Sequence, residues 1–128
     1  MRLLLDTQLL LWAAGMPTRL STQARALIVE PSNSLYFSVV SIWEVAIKRG
    51  LRRPDFQTDP ARLHLDLLAS GYRELLLRSE HAIAVDSLPR IHKDPFDRIL
   101  VAQAESDGFV LFTTDLVLAR YAGAIRMV

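Results

Sequence analysis

With 128 residues, 51% of them hydrophobic and 23% charged, the chain has the make-up of one packed domain spanning 1–128, not of a disordered segment. The lack of cysteine removes disulfides and thiolate metal sites and suits a reducing cytosol. A formal net charge of +1 gives no global pull toward nucleic acid, so such binding must rest on a local patch.

The chain opens MRLLLDTQLLLW. Residues 2–15 have the outline of a secretion signal, but Asp6 and Gln8 interrupt what should be an unbroken apolar region. No apolar run approaches the ~18 residues of a membrane span. The expectation is a cytoplasmic protein with no membrane association. RLLL at 2–5 reads as a strand instead, followed by a short helix over 8–14. Further apolar runs at 35–38, 73–76, 109–113 and 124–127 read as strands, several of them buried on both faces.

Helical patterns lie between them. Residues 21–30 start at a Ser cap, and residues 40–49 end at Gly50. Residues 59–70 open on Asp59-Pro60 and stop before Gly71; residues 94–107 repeat that grammar with Asp94-Pro95 and Gly108. Shorter helices are expected over 79–86 and 115–121. This alternation predicts a three-layer α/β/α fold around a mainly parallel sheet of about five strands.

Several acids stand where acids are costly. In a parallel sheet ligands bind beyond the carboxyl ends of the strands, and Asp6 and Asp115 are predicted there. Each also reads as the cap of the helix that follows it. Glu44 shares a helix face with Val40, Trp43 and Ile47, so it points inward and needs a basic partner or a metal, unless it lies at the stripe's edge and snorkels to water. Asp94 is the N-cap before Pro95. Asp97 sits in the first turn, where the dipole favours it, and shares a face with Leu100, Val101 and Ala104. An all-oxygen cluster of Asp6, Glu44, Asp97 and Asp115 suits a hard cation, Mg²⁺ or Mn²⁺, and points to phosphoester chemistry.

Those four acids in this order and context resemble a PIN-domain ribonuclease of the VapC toxin type. The matching pieces are L-L-L-D-T-Q-L-L-L-W, S-V-V-S-I-W-E-V-A-I-K, H-K-D-P-F-D-R-I-L-V-A-Q-A and the late T-T-D, which together span nearly the whole chain. The resemblance implies a Mg²⁺- or Mn²⁺-dependent endoribonuclease acting on tRNA or ribosomal RNA and silenced by a small VapB-type antitoxin. It also implies a homodimer or a toxin–antitoxin hetero-oligomer. It makes Asp6, Glu44, Asp97 and Asp115 the catalytic and metal-binding quartet. Thr114 is then the hydroxyl that orients the site, Thr7 the one that orients Asp6, and Asp94 a cap with an auxiliary role.

RNA requires local positive charge, and KRGLRR supplies Lys48, Arg49, Arg52 and Arg53 directly after the Glu44 helix. These are expected to form a phosphate-contacting rim; the bland alternative is a solvated helix end. Arg98 is a further candidate for phosphate or for an acidic neighbour. His64, His81 and His92 read as surface or structural residues, with His92 the one to watch because it precedes Asp97 by five. Trp12 and Trp43 fit core or interface packing.

A non-catalytic PIN scaffold is one alternative, and another Mg²⁺-dependent phosphoester hydrolase is the second. A haloacid-dehalogenase-like phosphatase wants an acid two residues after the first, where Gln8 stands. A response-regulator receiver needs paired acids at the first strand end and a late lysine, and neither is present.

Overall fold

The computed structural model describes residues 1–128. Five strands form one parallel sheet: β1 (Arg2–Leu5), β2 (Ser34–Ser38), β3 (Arg73–Leu75), β4 (Val110–Thr113) and β5 (Ile125–Met127). They lie in the order β3-β2-β1-β4-β5. Six helices connect them: α1 (Thr7–Gly15), α2 (Thr22–Val29), α3 (Val39–Gly50), α4 (Pro60–Ala69), α5 (Ser79–Ala84) and α6 (Pro95–Asp107). No helix is long and apolar enough to cross a membrane.

β1 shows why the sheet is buried on both faces. Leu3 and Leu5 enter one core with Leu9, Leu10, Phe37, Val45, Leu63, Leu67 and Phe112. Leu4 points the other way, into a second core with Leu100, Val101, Phe109, Leu111 and Leu118. Period-two alternation thus feeds two layers of helices, α1–α4 on one face and α5–α6 on the other. Leu3 pairs with Leu35 on one side and Val110 on the other, which places β1 at the centre.

From β1 the chain steps outward to β2 and β3, then returns to β4 and β5 on the opposite side. The topological switch point therefore lies between β1 and β4, and the crevice beyond their carboxyl ends is the favoured ligand site. The expected caps form. Ser21, Asp59 and Asp94 accept from Ala24, Ala61 and Phe96 N–H respectively, and Gly108 ends α6 with φ 72°. Most ends fall within two residues of expectation, and the helix expected over 79–86 gives way to a 3₁₀ turn at Val85–Ser87. Residues 115–121 hold only a 3₁₀ turn at Leu118–Arg120, and α3 runs through Gly50, with the left-handed residue falling at Arg52 (φ 55°).

Candidate active site

Asp6 occupies the step from β1 to α1. Its backbone N–H donates to Phe112 O at 3.0 Å, so β4 fixes its place. Oδ1 accepts from Leu9 N–H at 2.9 Å, and Oδ2 accepts from the Thr113 hydroxyl at 2.5 Å. Asp6 is both a helix cap and a buried acid facing the crevice. Burial raises its carboxyl above the ordinary aspartate value and the Asp115 charge adds to this, against the lowering by Thr113 and by the Leu9 and Thr114 N–H groups.

Glu44 is 4% exposed, so its inward placement holds, but its company differs. The buried side of α3 is Val40, Ser41, Glu44 and Val45, while Trp43 is 57% exposed and packs edge-on against Phe96. Ile47 is exposed as well. The expected apolar stripe is therefore displaced by one residue. Glu44 Oε1 accepts from the Thr7 hydroxyl at 2.7 Å, and Oε2 takes the Lys48 ammonium at 2.6 Å, one turn further along. Thr7 Oγ1 also lies 2.9 Å from Ser41 Oγ, so Thr7 bonds to α3 and not to Asp6.

Asp97 stands in the first turn of α6. Its carboxyl is pushed up to about 7 by burial first, then by Asp94, Glu44 and Asp6, with His92 opposing. Asp115 behaves differently. Burial raises it, but the His92 hydrogen bond and the N–H groups of Val117 and Leu118 draw it below the usual value. Val117 N–H reaches Asp115 Oδ1 at 2.8 Å, so the cap reading of Asp115 holds too.

These acids line one cavity of about 890 Å³, which also holds Asp94 and Thr114. Lys48, Arg53 and Arg19 line it as well, together with Trp12 and Phe56. The expected basic rim is thus divided. Arg49 instead pairs with Asp59 at 3.1 Å, and Arg52 does not line the cavity. Arg98 is also outside the lining; its guanidinium donates to the carbonyls of Pro89 (2.9 Å) and Val85 (3.1 Å) and to the Tyr121 hydroxyl. It fastens the loop before α6.

Two residues in contact with the acids were not assigned there from sequence. Thr113, not Thr114, supplies the hydroxyl between Asp6 and Asp115: besides donating to Asp6 it accepts from Asp115 N–H at 2.9 Å. Strand alternation carried the signal, since it puts Thr113 on the side of Leu111 and Asp115. His92, read as structural, has its Nε2 2.9 Å from Asp115 Oδ2 and 3.2 Å from Asp97 Oδ2. No spacing rule joins residues 92 and 115. The other two histidines lie elsewhere: His64 pairs with Glu74, and His81 is buried against Asp107.

A doubly covered parallel sheet with an acid-lined cavity beyond β1 and β4 defines a class of α/β/α domain with a carboxylate site. The PIN domain family model matches residues 3–124, and the chain belongs to that family. Three solved structures share the fold. VapBC2 from Rickettsia felis bound to a DNA fragment from its promoter aligns with TM-score 0.73 at 13% identity, covering 99% of this chain and 98% of that one. A toxin–antitoxin complex from Klebsiella pneumoniae gives 0.63 at 19%, covering 96% and 94%. VapBC-1 from nontypeable Haemophilus influenzae gives 0.62 at 16%, covering 99% and 96%. Among curated proteins, none matches the chain.

Proposed function

We propose that this chain is a VapC-type toxin: a divalent-metal-dependent endoribonuclease that hydrolyses RNA phosphodiesters, with tRNA or ribosomal RNA as substrate. The observation that carries this reading is the meeting of Asp6, Glu44, Asp97 and Asp115 in one cavity, where like charges and burial raise Asp97 to about 7. Of the four, Asp97 and Asp6 are the acids whose surroundings make them costly to ionise, and the all-carboxylate chemistry of the cluster fits Mg²⁺ or Mn²⁺. Asp6, Asp97 and Asp115 would hold the ion directly or through water. Glu44, already bonded by Thr7 and Lys48, would stand behind them. When bound, the ion supplies positive charge toward a phosphoryl oxygen and lowers the pKa of an attacking water.

The chain's own residues account for the rest. Thr113 and the Leu9 N–H hold Asp6 in one orientation. Lys48 offsets part of the acidic charge, and Arg19 and Arg53 add cations to the lining that can meet a polyanion's phosphates, with Asp55 4.0 Å from Arg53. Trp12 and Phe56 present aromatic faces in the same cavity, a surface suited to an unstacked base. The VapBC neighbours support a small VapB-type antitoxin as partner in a toxin–antitoxin hetero-oligomer; a homodimer and a cytoplasmic location are part of the same proposal.

Expression of the chain alone in a bacterial host, beside Asp6→Asn, tests the reading. Asn keeps the helix cap but removes the charge. The parent chain is expected to arrest growth, and the purified protein to cleave structured RNA with Mg²⁺ or Mn²⁺ and stop on addition of EDTA. Asp6→Asn should lower cleavage by about a hundredfold or more and relieve the arrest. Equal toxicity of the two chains would favour a non-catalytic PIN scaffold that binds protein or RNA.

A further inference from the structure

His92 is held from every side. Its backbone N–H donates to the Tyr121 hydroxyl at 2.9 Å, and that buried hydroxyl also accepts from Arg98 Nη1 at 3.1 Å. Its ring Nδ1 lies 3.0 Å from the backbone nitrogen of Asp94. A peptide N–H can only donate, so Nδ1 must offer a lone pair. In the neutral ring the proton is then on Nε2. That Nε2–H stands 2.9 Å from Asp115 Oδ2 and 3.2 Å from Asp97 Oδ2, one donor shared between two carboxylates from different segments.

A metal-ligating Nε2 would need its lone pair free and the proton moved to Nδ1, against the Asp94 N–H, so the ring faces the two acids as an Nε2–H donor. That ring nitrogen and one oxygen each of Asp97 and Asp115 lie within 4.8 Å of one another.

We propose that His92 is a positioning residue, an Nε2–H clamp that holds Asp97 and Asp115 at the spacing a divalent cation requires. The assignment rests on the metal-dependent reading above and names a residue outside the acidic quartet. Asp97 comes from the start of α6 and Asp115 follows the end of β4, and an oxygen of each faces the same ring nitrogen. Without a donor between them the two carboxylates would turn apart, and a cation would have to gather them itself. Because Arg98 and Tyr121 fasten the backbone of His92, the clamp is set before any cation arrives.

Two measurements on the full chain decide it. Two-bond ¹H–¹⁵N correlation spectra of the metal-free protein should show His92 with its Nε2 protonated; a ring that carries its only proton on Nδ1 overturns the proposal. Calorimetric titration with Mn²⁺ then compares the parent chain with His92→Gln, whose amide can stand in for the donor, and His92→Met, which has similar reach and no donor. Gln is expected to keep the affinity within about threefold, while Met loses about tenfold to a hundredfold, as for other groups that orient metal ligands. Wild-type affinity in a folded Met variant overturns the clamp, as does a Gln variant as weak as Met. If Met does not fold, the spectra and the Gln titration still decide. A parent chain that takes up no Mn²⁺ overturns the proposed function itself, an outcome separate from any difference between variants.

Discussion

Asp97 carries the clearest electrostatic consequence of the site. Its carboxyl sits at about 7 in the folded chain against an ordinary 3.8, with burial as the main cause. Between those values the metal-free folded protein binds a proton that the unfolded chain has released. Its stability therefore falls as pH rises from about 4 to about 7. Thermal melts at pH 5 and pH 8 in EDTA should show the higher melting temperature at pH 5, with the difference reduced in Asp97→Asn. A cation competes with the same proton, so Mn²⁺ affinity should climb through pH 7 and level above it. An affinity flat from pH 6 to 8 would contradict the buried, crowded environment of Asp97. At this scale the sequence was legible where a residue type is costly, as with Glu44 and Asp97 on inward faces. It was mute where a role depends on a partner far along the chain. Nothing in the string relates Thr113 to Asp6, 107 residues away, or His92 to Asp115.

The helices and strands were legible because local chemistry writes their ends: Ser or Asp caps, a proline at N1, glycine after the last turn. The region 115–121 failed because Asp115 does form the capping bonds, yet the chain tightens into a single 3₁₀ turn before β5. The face of α3 failed for a different reason. Hydrophobic patterning assumes that the buried side is the apolar one. In α3 the buried side carries Ser41 and Glu44 because it borders the cavity, while Trp43 and Ile47 stand outside. A second polar cluster joins α5 to α6 away from the site. Buried His81 accepts from Arg78 N–H at 3.0 Å and meets Asp107 Oδ2 at 3.0 Å, and Arg78 also pairs with Asp107. Asp107 ends the helix whose first turn holds Asp97, about 15 Å away along its axis. His81→Ala should therefore cost about 2 kcal/mol and lower the melting temperature by about 5–10 °C, with Mn²⁺ affinity unchanged. A change in affinity without a change in melting would refute the separation of the two clusters.

The whole molecule converts sequence order into a charge gradient. Strand order β3-β2-β1-β4-β5 opens the crevice at the switch point, and four segments deliver acids to it from positions 6, 44, 97 and 115. The segments after α1 and α3 bring Arg19, Arg53 and Phe56 to the same cavity. With a formal net charge of only +1, the proposed RNA binding has no global attraction to rest on, and these cavity-lining cations are its local candidates. The cavity wall also separates basic residues that the sequence groups together. Arg53 lines the cavity with Asp55 4.0 Å away, a loose pair, whereas Arg49, four residues earlier, is held to Asp59 at 3.1 Å. In the Asp6→Asn background, which the proposed function expects to bind RNA with little cleavage, Arg53→Ala and Arg19→Ala should each weaken binding. Each should also reduce the slope of log affinity against log salt by about 0.7, the loss of one single-strand phosphate contact. Arg49→Ala and Arg98→Ala should leave that slope unchanged, since one is paired with Asp59 and the other is bonded to carbonyls of the loop before α6. Fluorescence anisotropy with a labelled RNA across a salt series reads all four. A slope that responds equally to all four arginines would mean that the RNA meets a diffuse surface and not the cavity wall.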